Sequence, residues 1–587
     1  MDIFRHLDDF FKKYKSQYII GILFLIIVDL LQLIPPKLIG FLIDLLKSKN
    51  ISKASLAKYC FFIFGIALII AGFRYLWRMK IIGGSRDLEY YLRDKLFSHY
   101  LILSPNFYNY NKTGDLMAHA TNDLSALRGA FGPGIIMLTD GIVLTISTIA
   151  VMSLSISPRL TLIALIPLPF LALLALTSGR CLRRHHNRVQ ASFSSLSDRV
   201  QESFSGIRVI KSFAQEAYEI DRFKDSSLDY IKKNMALTRL WGLLYPMIGL
   251  ISSSSFLIAL IYGGGLVIKN EISLGDFVSF LTYLGILTWP MAAIGWVINM
   301  LQRGKASLER INKILDTPSE ITDDNALDIT SLNPDIQISS LSFKYPSSEE
   351  YVLSDINVNL EAGKTLGIVG RTGSGKSTLG TLLLRGYNLE DFSSIKIGSY
   401  NIDSIPLNIL RKHISIVPQE SFLFSTTIEE NLAFASANPS SEDILKVAKD
   451  VAIHDDIMDF PDQYKTIVGE KGVTLSGGQK QRISIGRALL KNPKILILDD
   501  CLSAVDAKTE AKILQSLKSN LKDTTSIIIS HRLSTLRDSD EIIFLQDGKI
   551  VERGSHESLM ALQGLYYEMY QRQLLEESLE EGGNHNE

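Results

Sequence analysis

The sequence predicts a helical, membrane-spanning first half joined to a water-soluble α/β second half. Three observations carry this: long apolar runs confined to the first half, short β-branched runs broken by turns beyond about Asp335, and a glycine-rich loop set between a strand-like and a helix-like segment. A chain of 587 residues is also too long for one hydrophobic core, so at least two folding units are expected. The formal net charge of −1 gives no reason to expect a nucleic-acid partner or a polyanionic substrate. Cys60, Cys181 and Cys501 are odd in number and far apart, which supplies neither a disulfide framework nor a metal-ligand cluster.

A helix needs about 20 mainly apolar residues to cross a hydrocarbon core about 30 Å thick. Runs of that kind predict six spans, near residues 18–46, 59–79, 135–156, 160–177, 241–268 and 277–301. The mixed-charge stretch 1–15 precedes a run too long for a signal-peptide core and without a small-residue cleavage site, so that run is expected to remain as a span. Only Ser157-Pro158-Arg159 separates spans three and four, whereas long polar stretches, 80–134 and 178–240, follow spans two and four. Apolar residues recur among their charges at three-to-four spacing, the pattern of helices that extend beyond the bilayer. The second stretch carries Arg180, Arg183, Arg184, Arg208, Lys211, Arg222, Lys232, Lys233 and Arg239, which places it and both termini on the cytoplasmic side. Lys47, Lys49, Lys53 and Lys58, in the first external loop, run against that orientation.

Inside the expected spans, Asp29, Arg74 and Asp140 are ionisable and costly to expose to lipid. They read either as part of a substrate path or as an internal ion pair or interfacial residues. Trp289, Met291, Trp296 and Met300 on the sixth span could line a cavity for varied apolar ligands or serve only in helix packing.

In the second half, Gly370-Arg371-Thr372-Gly373-Ser374-Gly375-Lys376-Ser377-Thr378 follows the strand-like Thr365 to Val369 and opens a helix-like run. Its glycines let backbone N–H groups approach phosphates, Lys376 reaches the β- and γ-phosphates, and Ser377 can bind Mg²⁺, so ATP and Mg²⁺ are the expected ligands. Further on, the apolar Ile495-Leu496-Ile497-Leu498 ends in two acids. Asp499 is placed to hold the Mg²⁺ shell and Asp500 to act as base for the attacking water. A domain that uses cytosolic ATP has to lie on the cytoplasmic side, which is why that orientation is kept.

Between these motifs, Leu475-Ser476-Gly477-Gly478-Gln479-Lys480-Gln481-Arg482 resembles the signature of ABC ATPases. In that family Ser476 and the glycines beside it, from Leu475 to Gln479, would contact the γ-phosphate of ATP held by an opposing domain, so the resemblance implies a dimer. It also assigns Tyr345 to stacking on adenine, Gln419 in Val417-Pro418-Gln419-Glu420 to sensing Mg²⁺ and the membrane domain, Ser503-Ala504-Val505-Asp506 to the D-loop, and His531 to the γ-phosphate. Pro36-Lys37-Leu38-Ile39-Gly40, Thr113-Gly114-Asp115-Leu116 and Gly206-Ile207-Arg208-Val209-Ile210-Lys211-Ser212-Phe213 are similar to segments of multidrug ABC half-transporters of type IV fold. The implied architecture is an α-helical six-span transmembrane domain (1–315), a linker (316–334), an α/β P-loop ABC nucleotide-binding domain (335–575) and an acidic tail (576–587). Short transverse helices near 115–120 and 213–219 would couple the two domains.

Most members of that family carry Glu where this chain has Asp500. One methylene fewer pulls the carboxylate back from the water with little change in basicity, and a misplacement of about 1 Å can cost on the order of a hundredfold in rate. An altered base beside an intact signature resembles one subunit of heterodimeric multidrug ABC exporters, with a slow ATP site on this chain. A homodimeric exporter, a lipid or lipid-linked glycan flippase, and a nucleotide-gated channel or receptor are the competing expectations.

Overall fold

The computed structural model describes residues 4–48, 52–436, 438–469, 475–520 and 523–583. It divides into two compact units, Met1–Leu101 with Thr113–Thr317, and Ile102–Lys112 with Pro318–Glu587. Lys49, the side chains of Arg180 and Met291, and residues 584–587 of the expected tail lie outside the described residues.

The first unit is helical throughout. Asp8–Leu31 gives way after a two-residue turn to Ile34–Lys47, because Pro35 and Pro36 have no N–H with which to continue the ladder. Lys53–Ile102 is a single helix. Thr113–Ser155 and Glu216–Ile268 are long helical runs that include π turns at His119–Asp123, Ala130–Gly134 and Ala259–Gly263. Leu274–Leu315 closes the unit.

Five runs are long and apolar enough to cross a membrane among the described residues: Asp8–Lys47, Lys53–Ile102, Thr113–Ser155, Glu216–Ile268 and Leu274–Leu315. Residues 160–177, expected as a further span, instead divide into Pro158–Leu165 and the start of Leu168–Ser205. Pro167, which has no N–H, stands at the break between them, and among the described residues the apolar stretch runs from Pro158 to Phe170. Phe61, Leu154 and Ile268 are mostly exposed on this unit, as side chains facing lipid tails would be.

Two contacts show how the helices of this unit are held. Ile34–Lys47 packs on Leu274–Leu315 so tightly that a Cβ on Gly275 would stand 1.9 Å from the Gly40 carbonyl oxygen. Around that seam the Asp44 carboxylate accepts the Gly275 N–H at 2.8 Å, Ser279 Oγ donates to the Pro36 carbonyl at 2.9 Å, and Tyr283 OH donates to that of Leu33 at 2.6 Å. Elsewhere the buried Asp123 accepts hydrogen bonds from Ser307 Oγ at 2.8 Å and Arg310 Nε at 3.0 Å, and also pairs with His119. That joins Thr113–Ser155 to Leu274–Leu315 through satisfied charges.

The short helices fall earlier than expected. Pro105–Tyr110, with proline at its first position, lies in the 102–112 segment grouped with the second unit, while Asp115 already belongs to the run Thr113–Ser155. Ile207–Ser212 follows Gly206, and Ala214, in the left-handed region at φ 51°, turns the chain into the helix that begins at Glu216.

The second unit contains two sheets. The antiparallel sheet has the order β2-β1-β4-β5, with β1 Ile336–Phe343, β2 Leu353–Leu360, β4 Ile395–Ile397 and β5 Tyr400–Asn401. The larger sheet runs β10-β9-β3-β8-β7-β6, with β3 Thr365–Gly370, β6 Ile414–Val417, β7 Ile495–Asp499, β8 Thr525–Ile529, β9 Glu541–Gln546 and β10 Lys549–Gly554. From β9 to β6 its neighbours pair in parallel, and β7 is buried along its whole length, as a strand covered on both faces must be. The polar segment that precedes β1 is strapped to this unit by Arg385, which is 4 % exposed and donates to the Thr322 carbonyl at 2.8 Å, and by Asp323, which accepts the Leu407 N–H at 3.0 Å. The chain ends in the helix Leu565–Gly583, which continues through Glu576 into the stretch expected as a tail.

Candidate active site

In an open parallel sheet, ligands gather beyond the carboxyl ends of the strands. Here β3, β8, β7 and β6 are neighbours, so their ends deliver the glycine loop, His531, the Asp499–Asp500 pair and Gln419 to one place. Tyr345, Val352, Thr372, Gly373, Gly375, Lys376, Ser377, Thr378, Gln419, Asp499, Asp500, Ile529 and His531 line a cavity of about 350 Å³ there.

The loop has the backbone its glycines permit. Gly370, Gly373 and Gly375 have φ of 155°, 84° and 95°, and a Cβ on Gly370 or Gly375 would stand 2.1 Å and 2.8 Å from the carbonyl oxygens of Leu545 and Val352. Gly375 leads directly into the helix Lys376–Leu383, whose first N–H groups therefore point toward the cavity mouth. Lys376, 7 % exposed, donates to the carbonyls of Gly370 and Arg371, each at 2.9 Å. Burial lowers its pKa, against the pull of Asp499 and Asp500. Of the expected loop residues, Gly370, Arg371 and Ser374 support the loop without lining the cavity.

Asp499 is 6 % exposed and lines the cavity together with Ser377. Burial raises its pKa, the adjacent Asp500 raises it further, and Ser377, Lys376 and His531 oppose the shift. Asp500 departs from strand geometry, with φ of 44°, a left-handed conformation uncommon for a residue with a Cβ. Its N–H donates to the Ile529 carbonyl at 2.8 Å, and its carboxylate receives Gln419 Nε2 at 3.5 Å and the His531 N–H at 3.4 Å. Tyr345 shares a 2.9 Å hydrogen bond with Thr378 and meets Phe343 and Tyr387 edge to face, with ring centroids 5.2 Å and 5.1 Å away.

Leu475–Gln479 does not line this cavity. Ser476 instead caps the helix Gly477–Leu490 through a reciprocal pair of bonds with Gln479, at 3.2 Å and 3.0 Å. A Cβ on Gly478 would come 2.8 Å from the Ala504 carbonyl. Gln481 on the same helix donates to Ser503 Oγ at 3.1 Å and accepts the Ala504 N–H at 3.0 Å. Arg532 then donates to the carbonyls of Ser503 and Val505 and to the buried Glu510. The segment 503–506 thereby ties the serine-glycine turn to the segment that carries His531. Sequence reasoning missed Glu510 and Arg532 in this chain, because neither belongs to a motif with its own chemistry.

In the helical unit the expected substrate-path residues divide into a charged group and two exposed tryptophans. Asp29 is 2 % exposed, and among the described residues Asp29 Oδ2 and Asp140 Oδ1 have no hydrogen-bond partner. Asp29, Asp140 and Arg74 are close enough to interact electrostatically. Trp289 and Trp296 are exposed.

Residues 18–291 match a family model described as the ABC transporter transmembrane region, and residues 353–503 match one described as ABC transporter. The chain is 42% identical to the probable multidrug resistance ABC transporter ATP-binding/permease protein YheI of Bacillus subtilis (strain 168), over 99% of both chains. It is 37% identical to the multidrug resistance-like ATP-binding protein MdlA of Escherichia coli (strain K12), over 100% of this chain and 99% of that one. An ATP-dependent lipid A-core flippase of Syntrophus aciditrophicus (strain SB) is 34% identical over 84% of this chain and 82% of its own. Among solved structures, that of a bacterial Atm1-family ABC exporter with ATP bound superposes with a TM-score of 0.78 at 27% identity, covering 95% of this chain and 99% of that one.

Proposed function

Because this chain belongs to the ABC transporter family, as a multi-pass membrane ATPase coupled to transport, we propose that it exports hydrophobic or amphipathic compounds as one half of a heterodimer whose ATP site on this chain turns over slowly. The observation that carries the reading is Asp500, an aspartate at the end of β7 where the base belongs, beside an intact signature turn. Names of relatives that refer to multidrug resistance support the substrate class. The lipid A-core flippases among the relatives favour a second reading, in which the cargo is a lipid.

In this proposal six spans cross the bilayer, the sixth formed by the proline-broken 158–177, and both termini and the ATP-binding unit face the cytoplasm. Tyr345 stacks on adenine, the loop 370–378 cradles the phosphates, and Lys376 leaves its loop carbonyls to meet them. Asp500 orients the attacking water, while Gln419 and His531 bracket it. Ser377, Asp499 and Gln419 would hold Mg²⁺, which supplies positive charge against the phosphates. The donor set fits that ion: Ser377, Gln419 and Asp499 line one cavity and offer only oxygen and amide donors, and Asp499 is an acid at the strand end. That suits a cation that also relies on phosphate oxygens. Ser476 to Gln479 complete the partner's site.

Transport follows if ATP binds the closed pair of domains better than the open pair, so that binding favours an outward-facing cavity and hydrolysis resets it. The test is ATPase activity of the purified chain in lipid, alone and with its candidate partner, for the parent and for Asp500→Glu. Weak activity alone, a rise with the partner and a gain on Asp500→Glu are expected. Full cooperative activity from the chain alone would instead establish a homodimer in which aspartate suffices as base.

A further inference from the structure

The segment that carries His531 is held from behind by a residue far along the chain. Gln573, on the C-terminal helix, donates from its amide nitrogen to the His531 carbonyl and accepts the Leu533 N–H at its amide oxygen, at 2.9 Å. One side chain thus clamps both ends of the tripeptide 531–533. On the other side of the tripeptide, Arg532 is fixed by Ser503, Val505 and Glu510, so the His531 backbone is pinned between two anchors.

The helix that presents Gln573 is itself well fixed. Glu552 on β10 accepts the first N–H groups of Leu565–Gly583, from Leu565 and from Tyr566, the latter at 2.9 Å, which places a carboxylate on the positive end of the helix. Tyr566 is fully buried against a cluster that includes Val369, Leu533, Leu536 and Phe544, and its hydroxyl is 2.8 Å from His556 Nδ1. Gln573 therefore hangs from a rigid support two turns farther along. An amide offers a donor and an acceptor side by side at any pH, which is what a carbonyl and an N–H on the same loop require.

We propose that Gln573 is a positioning residue for ATP hydrolysis, holding His531 at the distance from the γ-phosphate at which it stabilises the transition state. The inference rests on the assignment of His531 to the γ-phosphate. It makes the C-terminal helix a control element: whatever shifts Leu565–Gly583 shifts the switch histidine while the phosphate loop stays in place.

The experiment uses the full chain in lipid with its partner, in the Asp500→Glu background so that turnover at this site is read. Gln573→Leu is expected to lower kcat for ATP about tenfold and to leave KM within about twofold, because the loop around Lys376 is untouched. Gln573→Glu keeps the acceptor for Leu533 and turns a charged oxygen toward the His531 carbonyl. At neutral pH, where a glutamate is ionised, its kcat is therefore expected to fall at least as far as that of Gln573→Leu. The neighbouring Arg572→Gln, which alters only an exposed pair with Glu576, is expected to leave both constants unchanged. His531→Ala separates the two possible failures. If it slows hydrolysis at least tenfold while Gln573→Leu stays within twofold of the parent, the positioning role is overturned. If His531→Ala has no effect, the assignment beneath the proposal falls and the proposal with it. A rise in KM equal to the loss in kcat would mean general damage to the pocket, and parent-like turnover in Gln573→Glu would mean that the clamp is dispensable; either would equally overturn it.

Discussion

The two units hold particular charged side chains differently. In the nucleotide-binding unit, charged and polar side chains at the site are tied to neighbours: Lys376 to loop carbonyls, Asp500 to Gln419 and the His531 N–H, Arg532 to Glu510. In the helical unit, Asp29 and Asp140 each keep an oxygen with no partner among the described residues. A site built to act on one invariant group, a triphosphate, can hold its charged side chains with fixed partners. A buried carboxylate oxygen without a hydrogen-bond partner is costly enough that its retention calls for a use, and the proposed transport of varied compounds would supply one.

That contrast can be tested at graded strength. The largest effect is expected for Lys376→Ala, which removes the one lysine among the described residues lining the nucleotide cavity and, in the Asp500→Glu background, should lower ATP hydrolysis by about 10²–10³-fold in a phosphate-release assay. A drop of less than tenfold would mean that backbone N–H groups alone do the work.

Asp499→Asn should abolish hydrolysis as well, yet raise thermal stability of the nucleotide-free protein at neutral pH. The sign follows from its raised pKa: the native state binds a proton that the unfolded chain has already released, so stability falls as pH climbs from the ordinary aspartate value of about 3.9 through the native pKa. The increment in Tm should shrink as pH is lowered through that window. An increment independent of pH would show that burial of this charge is not what destabilises the site.

Within the helical unit, Gly275→Ala places a methyl against the Gly40 carbonyl and should cost about 1–3 kcal/mol, read as a lower Tm in detergent. Unchanged stability would mean that this seam opens readily. The smallest effect is expected from Asp29→Asn, which should raise the concentration of a cationic dye needed for half-maximal stimulation of ATPase about tenfold, or about 1.4 kcal/mol. No shift, or the same shift with a neutral dye, would remove Asp29 from the substrate path.

The same contrast explains what could be read from the sequence. The glycine loop, the acid pair and the serine-glycine turn are contiguous, and each lies at a strand end or helix start, so local pattern located them together with their secondary structure. Gln573 is out of reach of such reading: it meets His531 only because the final helix, anchored by Glu552 on β10, packs against Val369 of β3 and Phe544 of β9, and no local pattern marks an amide as a clamp. Hydropathy located five long apolar runs but treated 160–177 as continuous, since averaging over a window dilutes the effect of Pro167. The short helices were displaced for a related reason, their limits being set by Pro105, Gly206 and the left-handed Ala214 rather than by the motif that follows.

Asp500 has a consequence beyond reach and rate. At φ of 44° its backbone occupies a region that aspartate and asparagine tolerate better than longer side chains, because a short polar group can bond locally there. Lengthening the residue to glutamate would improve its reach and worsen its fit to the turn, so turnover and local stability pull this one position in opposite directions. A subunit released from the demand for rapid cycling is free to keep the residue its own backbone prefers, and loss of catalytic speed at one of two paired sites can then persist as a gain in robustness rather than as decay.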